Sequence, residues 1–106
     1  RVLNTKEGET KLTLKEITPV RMIKNEFFNE IDSLYNVNAS VEELKNKLGR
    51  GRAKKGMFEG DLKNGELEIG QVASQLIEVL PAAEIIAKIL DEFKLAKQVS
   101  NRNFSF

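Results

Sequence analysis

The sequence contains no cysteine and no histidine, and its only two prolines are Pro19 and Pro81. Without cysteine there is no disulfide framework and no thiolate nucleophile. Without histidine the commonest proton shuttle is missing, and the two absences together remove the usual zinc ligands. Charge of either sign is not in surplus: 17 basic and 16 acidic residues leave a net charge of +1, which exerts no global pull toward nucleic acid or membrane. No apolar run approaches the roughly 18 to 20 residues that a membrane span needs, and the start of the chain has no secretory signal pattern. The absence of cysteine permits a cytoplasmic location. The chain also opens at Arg1 without an initiator Met, as an excised or processed piece would. Taken by itself it is a poor enzyme candidate.

What is present is a core-forming fraction of 41% hydrophobic residues with 31% charged residues, enough for one small domain of 106 residues or part of a larger one. Glycine is concentrated: Gly49, Gly51, Gly56, Gly60, Gly65 and Gly70 all lie between Gly49 and Gln71, leaving only Gly8 elsewhere. Glycine admits positive φ and the close approach of a second backbone or a ligand, so this stretch is shaped for something.

Read in order, residues 1–10 form a flexible arm, residues 11–97 a helical body and residues 98–106 a tail. In Lys11 to Ile17, Leu12 and Leu14 share one face of a short extended segment. Pro19 disfavours helix at Thr18. Asn25 caps a helix to about Tyr35, whose stripe of Phe27, Phe28, Ile31, Leu34 and Tyr35 reads as core packing. Ser40-Val41-Glu42-Glu43 is a capping box opening a second helix through Val41, Leu44 and Leu48, with Gly49 as its stop.

Arg50, Arg52, Lys54 and Lys55 then form a basic run without an acid. Flexible amides and guanidinium groups suit an anion, but the run lacks the Lys-Ser/Thr of a phosphate-binding loop and the interleaved aromatics of a base-stacking surface. A solvated turn, or salt bridges within the protein, is the plainer reading. Glu59, Asp61, Glu66 and Glu68 follow. Four carboxylates suggest acid-base work or a hard metal, yet they read first as surface and helix-start charges, so no metal site is assigned.

From Glu66 to Leu80 the apolar spacing of Leu67, Gly70, Val72, Ala73, Leu76, Ile77 and Leu80 predicts a third helix. Gly70 is unfavourable near its start by roughly 1 kcal/mol relative to alanine, which points to close packing or a nearby ligand. Pro81 suits the first turn of a fourth helix carrying Ala82, Ile85, Ile86, Ile89, Leu90 and Phe93 to about Ala96. Beyond Gln98, Phe104 and Phe106 are placed to dock on a neighbour. The fold class expected is mainly α, with four helices and a short extended lead-in.

Three strings carry a family resemblance: ITPVRMIKNEFF (Ile17 to Phe28), GRAKKGMFEGDLKNGELEIGQ (Gly51 to Gln71) and LIEVLPAAEII (Leu76 to Ile86). Pro19, Val20, Arg21, Lys24, Asn25 and Phe27 match one recurring family string, and Gly60, Asp61, Gly70 and Gln71 match another. The set resembles the C-terminal part of the FMN-dependent nitronate monooxygenases, formerly 2-nitropropane dioxygenases, a family that includes the flavin-dependent enoyl-[acyl-carrier-protein] reductase II enzymes. It covers about Leu12 to Phe93. The resemblance implies a (β/α)8 barrel flavoprotein, cytoplasmic, of which this chain is the tail. It implies FMN in the parent enzyme, NAD(P)H as a reductant, and a nitronate or an enoyl thioester as substrate. The main phosphate loops and the family's histidine precede this region, so no catalytic residue is carried over and the isolated fragment is expected to hold no cofactor. Gly70 and Gln71 are carried over as cofactor-proximal positions. The partners implied are the remainder of the barrel and, through bared apolar helix faces, a second copy of the piece. Two alternatives stand beside this reading: a free-standing helical interaction module using Phe27, Phe28, Phe93 and Phe104, and an anion or nucleic-acid binder using Arg50 to Lys55.

Overall fold

In a computed structural model, which describes residues 1–104, the chain divides into two compact units, Arg1 to Leu76 and the segment from Ile77 onward. Helices account for about half of the residues, beside a small sheet.

The first unit opens with a 3-10 turn at Val2–Asn4, followed by β1 (Thr10–Thr13) and β2 (Val20–Ile23). The two strands pair antiparallel, Thr10 opposite Ile23 and Thr13 opposite Val20. Leu12 and Leu14 do not share a face as the sequence suggests. Leu12 is exposed, whereas Leu14 takes a left-handed φ of 54° and turns its side chain into the core, where it is 1% exposed. A leucine at positive φ is locally unfavourable, and burial of its whole side chain offsets that. Val20 to Ile23, between Pro19 and the Asn25 cap, is the sheet's second strand.

α1 (Glu26–Asn36) starts where Asn25 accepts a 2.9 Å hydrogen bond from the Phe28 amide. It buries Phe27, Phe28 and Ile31 against Leu14, Met22 and Leu44. The aromatic stripe is therefore core. α2 (Val41–Leu48) carries the capping box: the Ser40 amide donates to Glu43 Oε2 at 2.7 Å, and the Glu43 amide donates to Ser40 Oγ at 3.2 Å. Gly49 ends it at φ 64°. Lys47 on α2 and Glu30 on α1 form an ion pair between the two helices.

A short α3 (Arg52–Met57) lies inside the glycine-rich stretch, where no apolar spacing or cap marks a helix. The run from Glu66 to Leu80, expected as a helix, is not one. Leu67 and Ile69 lie beside β2, with the Ile23 amide donating to the Leu67 carbonyl at 2.9 Å and the Ile69 amide to the Arg21 carbonyl at 3.1 Å. A 3-10 turn follows at Gln71–Gln75. The open edge of β2 supplies backbone partners that a helix would have to forgo, and Leu80 is turned away from helix by Pro81. The apolar residues that fitted helical spacing divide accordingly: Leu67 and Ala73 are buried, whereas Val72, Leu76 and Ile77 are exposed.

The second unit is dominated by α4 (Ala82–Asn103), which starts at Pro81 as its composition suggests. It continues through Gln98 to Asn103, so the segment expected as a tail is helical over most of its length. Phe104 is exposed, and Phe106 lies outside the described residues. Ile85, Ile86, Ile89, Leu90 and Phe93 are all exposed along it. No helix among the described residues is long and apolar enough to cross a membrane.

Candidate functional site

The two halves of the glycine-rich stretch are packed backbone to backbone. A Cβ placed on Gly65 would lie 2.1 Å from Gly56 Cα and 2.4 Å from Gly56 N, so both positions need hydrogen in place of a side chain. Asp61 closes the loop between them, its Oδ1 accepting from the Asn64 amide at 2.8 Å and the Lys63 amide at 3.1 Å. These bonds, led by that from Asn64 and joined by the Lys55 ammonium, hold the Asp61 carboxyl at about 2 against an ordinary 3.8, with desolvation opposing them. The ionised form is the one this loop geometry stabilises.

The basic run finds partners inside the chain. Lys55 pairs with Asp61 at 3.2 Å and Lys54 with Glu59 at 3.8 Å. Arg52 donates to the carbonyls of Lys47, Leu48 and Asn64 at 2.9, 3.1 and 3.0 Å, and its guanidinium sits 4.7 Å from the centre of the Phe27 ring. Of the four cations, Arg50 is left facing solvent. This arrangement is the internal salt-bridge reading of the run. Burial raises the pKa of the Glu66 carboxyl, a neighbouring Glu68 adds to the rise, and Arg52 opposes it. Among the described residues there is no group of three or more His, Cys, Asp or Glu side chains that could hold a metal ion.

The packing of this loop leads the chain to the edge of a cleft at Gln71. Asn25 donates to the Leu62 and Gly65 carbonyls at 3.0 and 2.8 Å, tying the string that begins at Pro19 to the string that ends at Gln71. The Glu66 amide bonds to the Arg52 carbonyl, and the chain then runs along β2 until Gly70. Gln71 is thereby delivered to a cleft of about 720 Å³ that is also lined by Lys6, Gly8, Thr10, Arg21 and Ser74. Arg21 Nη1 donates to both the carbonyl and the hydroxyl of Thr10 at 3.2 Å, which fixes the guanidinium in the cleft lining.

Gly70 has an extended backbone, φ −77°, and a Cβ there would meet nothing nearer than Val72 Cγ1 at 4.0 Å. Close packing within this chain, one of the two reasons its sequence position suggests, is therefore absent among the described residues. Its flank is open to an incoming group. Lys6 and Thr10 belong to the segment that reads as a loose arm, and nothing in its polar composition marked them as cleft residues. Thr10 is held there by strand pairing and the Lys24 amide bonds to the Glu9 carbonyl at 2.9 Å, contacts visible only once β2 is in place.

No family model matches the sequence, and no curated protein matches it. Among solved structures the chain is similar to FabK from Thermotoga maritima at 25% identity, with a TM-score of 0.81 over 97% of this chain. A similar match is made to the M276A mutant of FabK from Thermotoga maritima, at 24% identity and a TM-score of 0.72 over 97% of this chain. The chain spans about a third of those proteins, 32% and 30% of their respective lengths.

Proposed function

We propose that this chain is the C-terminal portion of an FMN-dependent oxidoreductase of the enoyl-[acyl-carrier-protein] reductase II type, and that it is not catalytically competent alone. The observation that carries the reading is the FabK likeness, 0.81 in TM-score across 97% of the chain, which extends over the same strings that resemble the flavoenzyme family. The likeness to FabK favours an enoyl thioester over a nitronate as substrate. The flavin supplies two-electron transfer when bound, with NAD(P)H as its reductant.

What this chain contributes is position. Gly70, with open space where a Cβ would be, leaves its backbone free to lie against the flavin. Gln71 offers a carboxamide donor and acceptor beside it. The remainder of the barrel, supplied by the parent, covers exposed apolar side chains such as Ile86 and Phe93 of α4.

The test is made on the whole protein that contains this chain. It is expected to purify with FMN, to reduce an enoyl thioester with NAD(P)H, and to lose both properties when reduced to these 106 residues. A whole protein that carries no flavin would overturn the reading. Gly70→Ala is a sharper probe within it. Since the site has room and an ordinary φ, stability should hold or rise by about 0.5 kcal/mol. A methyl group against the flavin should nonetheless weaken FMN affinity about tenfold. Unchanged flavin affinity, read by fluorescence titration, would remove Gly70 from the cofactor's surroundings.

A further inference from the structure

We infer that the Arg21 cleft of the first unit is an anion-binding subsite that takes a phosphate group. Arg21 is half-buried and uses Nη1 on Thr10, yet among the described residues its other N–H groups have no hydrogen-bond partner. No carboxylate lies within 4.0 Å of it among those residues, although the chain forms ion pairs at Lys11, Lys47, Lys55 and Lys88. A partly desolvated guanidinium with free donors and no counter-ion is suited to a planar or tetrahedral oxyanion, which accepts two donors at once.

The surroundings favour the same ligand. Lys6 brings a second cation to the cleft, against one acid, Glu7. Gln71 and Gln75 add neutral carboxamide donors, and the cleft's volume of about 720 Å³ admits a phosphate-bearing molecule. The strand that carries Arg21 is also held on both sides. β2 is hydrogen-bonded to β1 on one side and to Leu67 and Ile69 on the other, so Arg21 is held in place before any ligand arrives. The basic run at Arg50 to Lys55 lacks this combination, because Arg52, Lys54 and Lys55 are already engaged.

The phosphate could come from a nucleotide cofactor or from a phosphopantetheine-type carrier, and the shared chemistry is the phosphate itself. The experiment uses the whole protein, isotope-labelled, with inorganic phosphate titrated into the millimolar range against sodium chloride at matched ionic strength. The expected result is a saturable shift at the Gly8, Gln71 and Ser74 amides and the Arg21 side-chain N–H groups. Arg21→Gln should weaken the apparent affinity about tenfold, as loss of a charge-assisted contact requires. Lys6→Gln should weaken it by a smaller factor, and it keeps the test open if Arg21→Gln disturbs folding, since Lys6 is exposed. Arg50→Gln should leave it unchanged. Displacement of phosphate by NADPH or by coenzyme A then names the source. Shifts matched by chloride, absent altogether, or unchanged in both Arg21→Gln and Lys6→Gln would overturn the subsite. FMN content, read separately by absorbance, reports on the proposed function whatever the phosphate result.

Discussion

Gly65→Ala is expected to prevent the first unit from folding. The new methyl carbon would stand 2.1 Å from Gly56 Cα, 2.4 Å from Gly56 N and 2.5 Å from the Asp61 carbonyl oxygen, all of them backbone atoms. A flexible side chain could swing away from such a clash, but these atoms are held by the Gly65 amide bond to Asp61 and by the Asn25 bond to the Gly65 carbonyl. The loop would have to separate, and the loss is expected to exceed about 4 kcal/mol, the range reserved for severe steric disruption. Gly56→Ala should be nearly as damaging, since its Cβ would lie 2.6 Å from the Glu66 carbonyl oxygen. Gly8→Ala is the internal control: its φ is +82° but nothing lies within 4 Å, so the cost should be only the left-handed penalty of about 1 to 2 kcal/mol. Thermal melts and soluble yield of the three variants check the order. A Gly65→Ala protein that melts with the wild type would refute the backbone-to-backbone packing.

Arg52→Ala should cost about 3 kcal/mol, from the loss of charge-assisted hydrogen bonds together with a cation–π contact. The side chain gathers the last turn of α2, through Lys47 and Leu48, to the Asn64 carbonyl, and stacks on Phe27 of α1. Removing it leaves three carbonyls without this donor and withdraws the main charge opposing the raised pKa of Glu66. Arg52→Lys should recover less than half of the loss, because one ammonium cannot reproduce a planar fork reaching carbonyls in several directions. Chemical denaturation of both variants measures this. Full recovery by lysine would mean that charge alone matters at this position.

These two residues also show why motif reading ran short. Arg52 sits in a run that reads most plainly as a solvated turn or internal salt bridges, and Lys54 and Lys55 do form such pairs. Yet the acceptors of Arg52 itself are carbonyls at the end of α2 and in the 60s loop. Carbonyl acceptors have no sequence signature, since every residue carries one. Gly56 and Gly65 were legible as glycines with a purpose, but the purpose could be a turn, a ligand or a crossing. Neither has positive φ; only their mutual approach explains them. The cleft was half legible. Arg21 and Gln71 stand in strings that resemble the flavoenzyme family, whereas Lys6 and Thr10 gave no signal before the sheet was formed.

By itself the sequence determined the elements whose information is local. The Asn25 cap, the Ser40 and Glu43 capping box, the aromatic stripe of α1, the stop at Gly49 and the start at Pro81 all follow from side chains meeting the backbone or one helix face within a few residues. It also determined the exclusions that absent cysteine and histidine impose. The tertiary structure alone decided the rest. Leu67 to Ile69 became a partner of β2 instead of a helix because a neighbouring strand edge offered hydrogen bonds at a distance of over 40 residues in sequence. Leu14 took a strained turn because the core had a place for its side chain. Arg21 and Gln71 came to share one cleft for the same reason: backbone partners and burial are chosen among all segments at once, which no local pattern records.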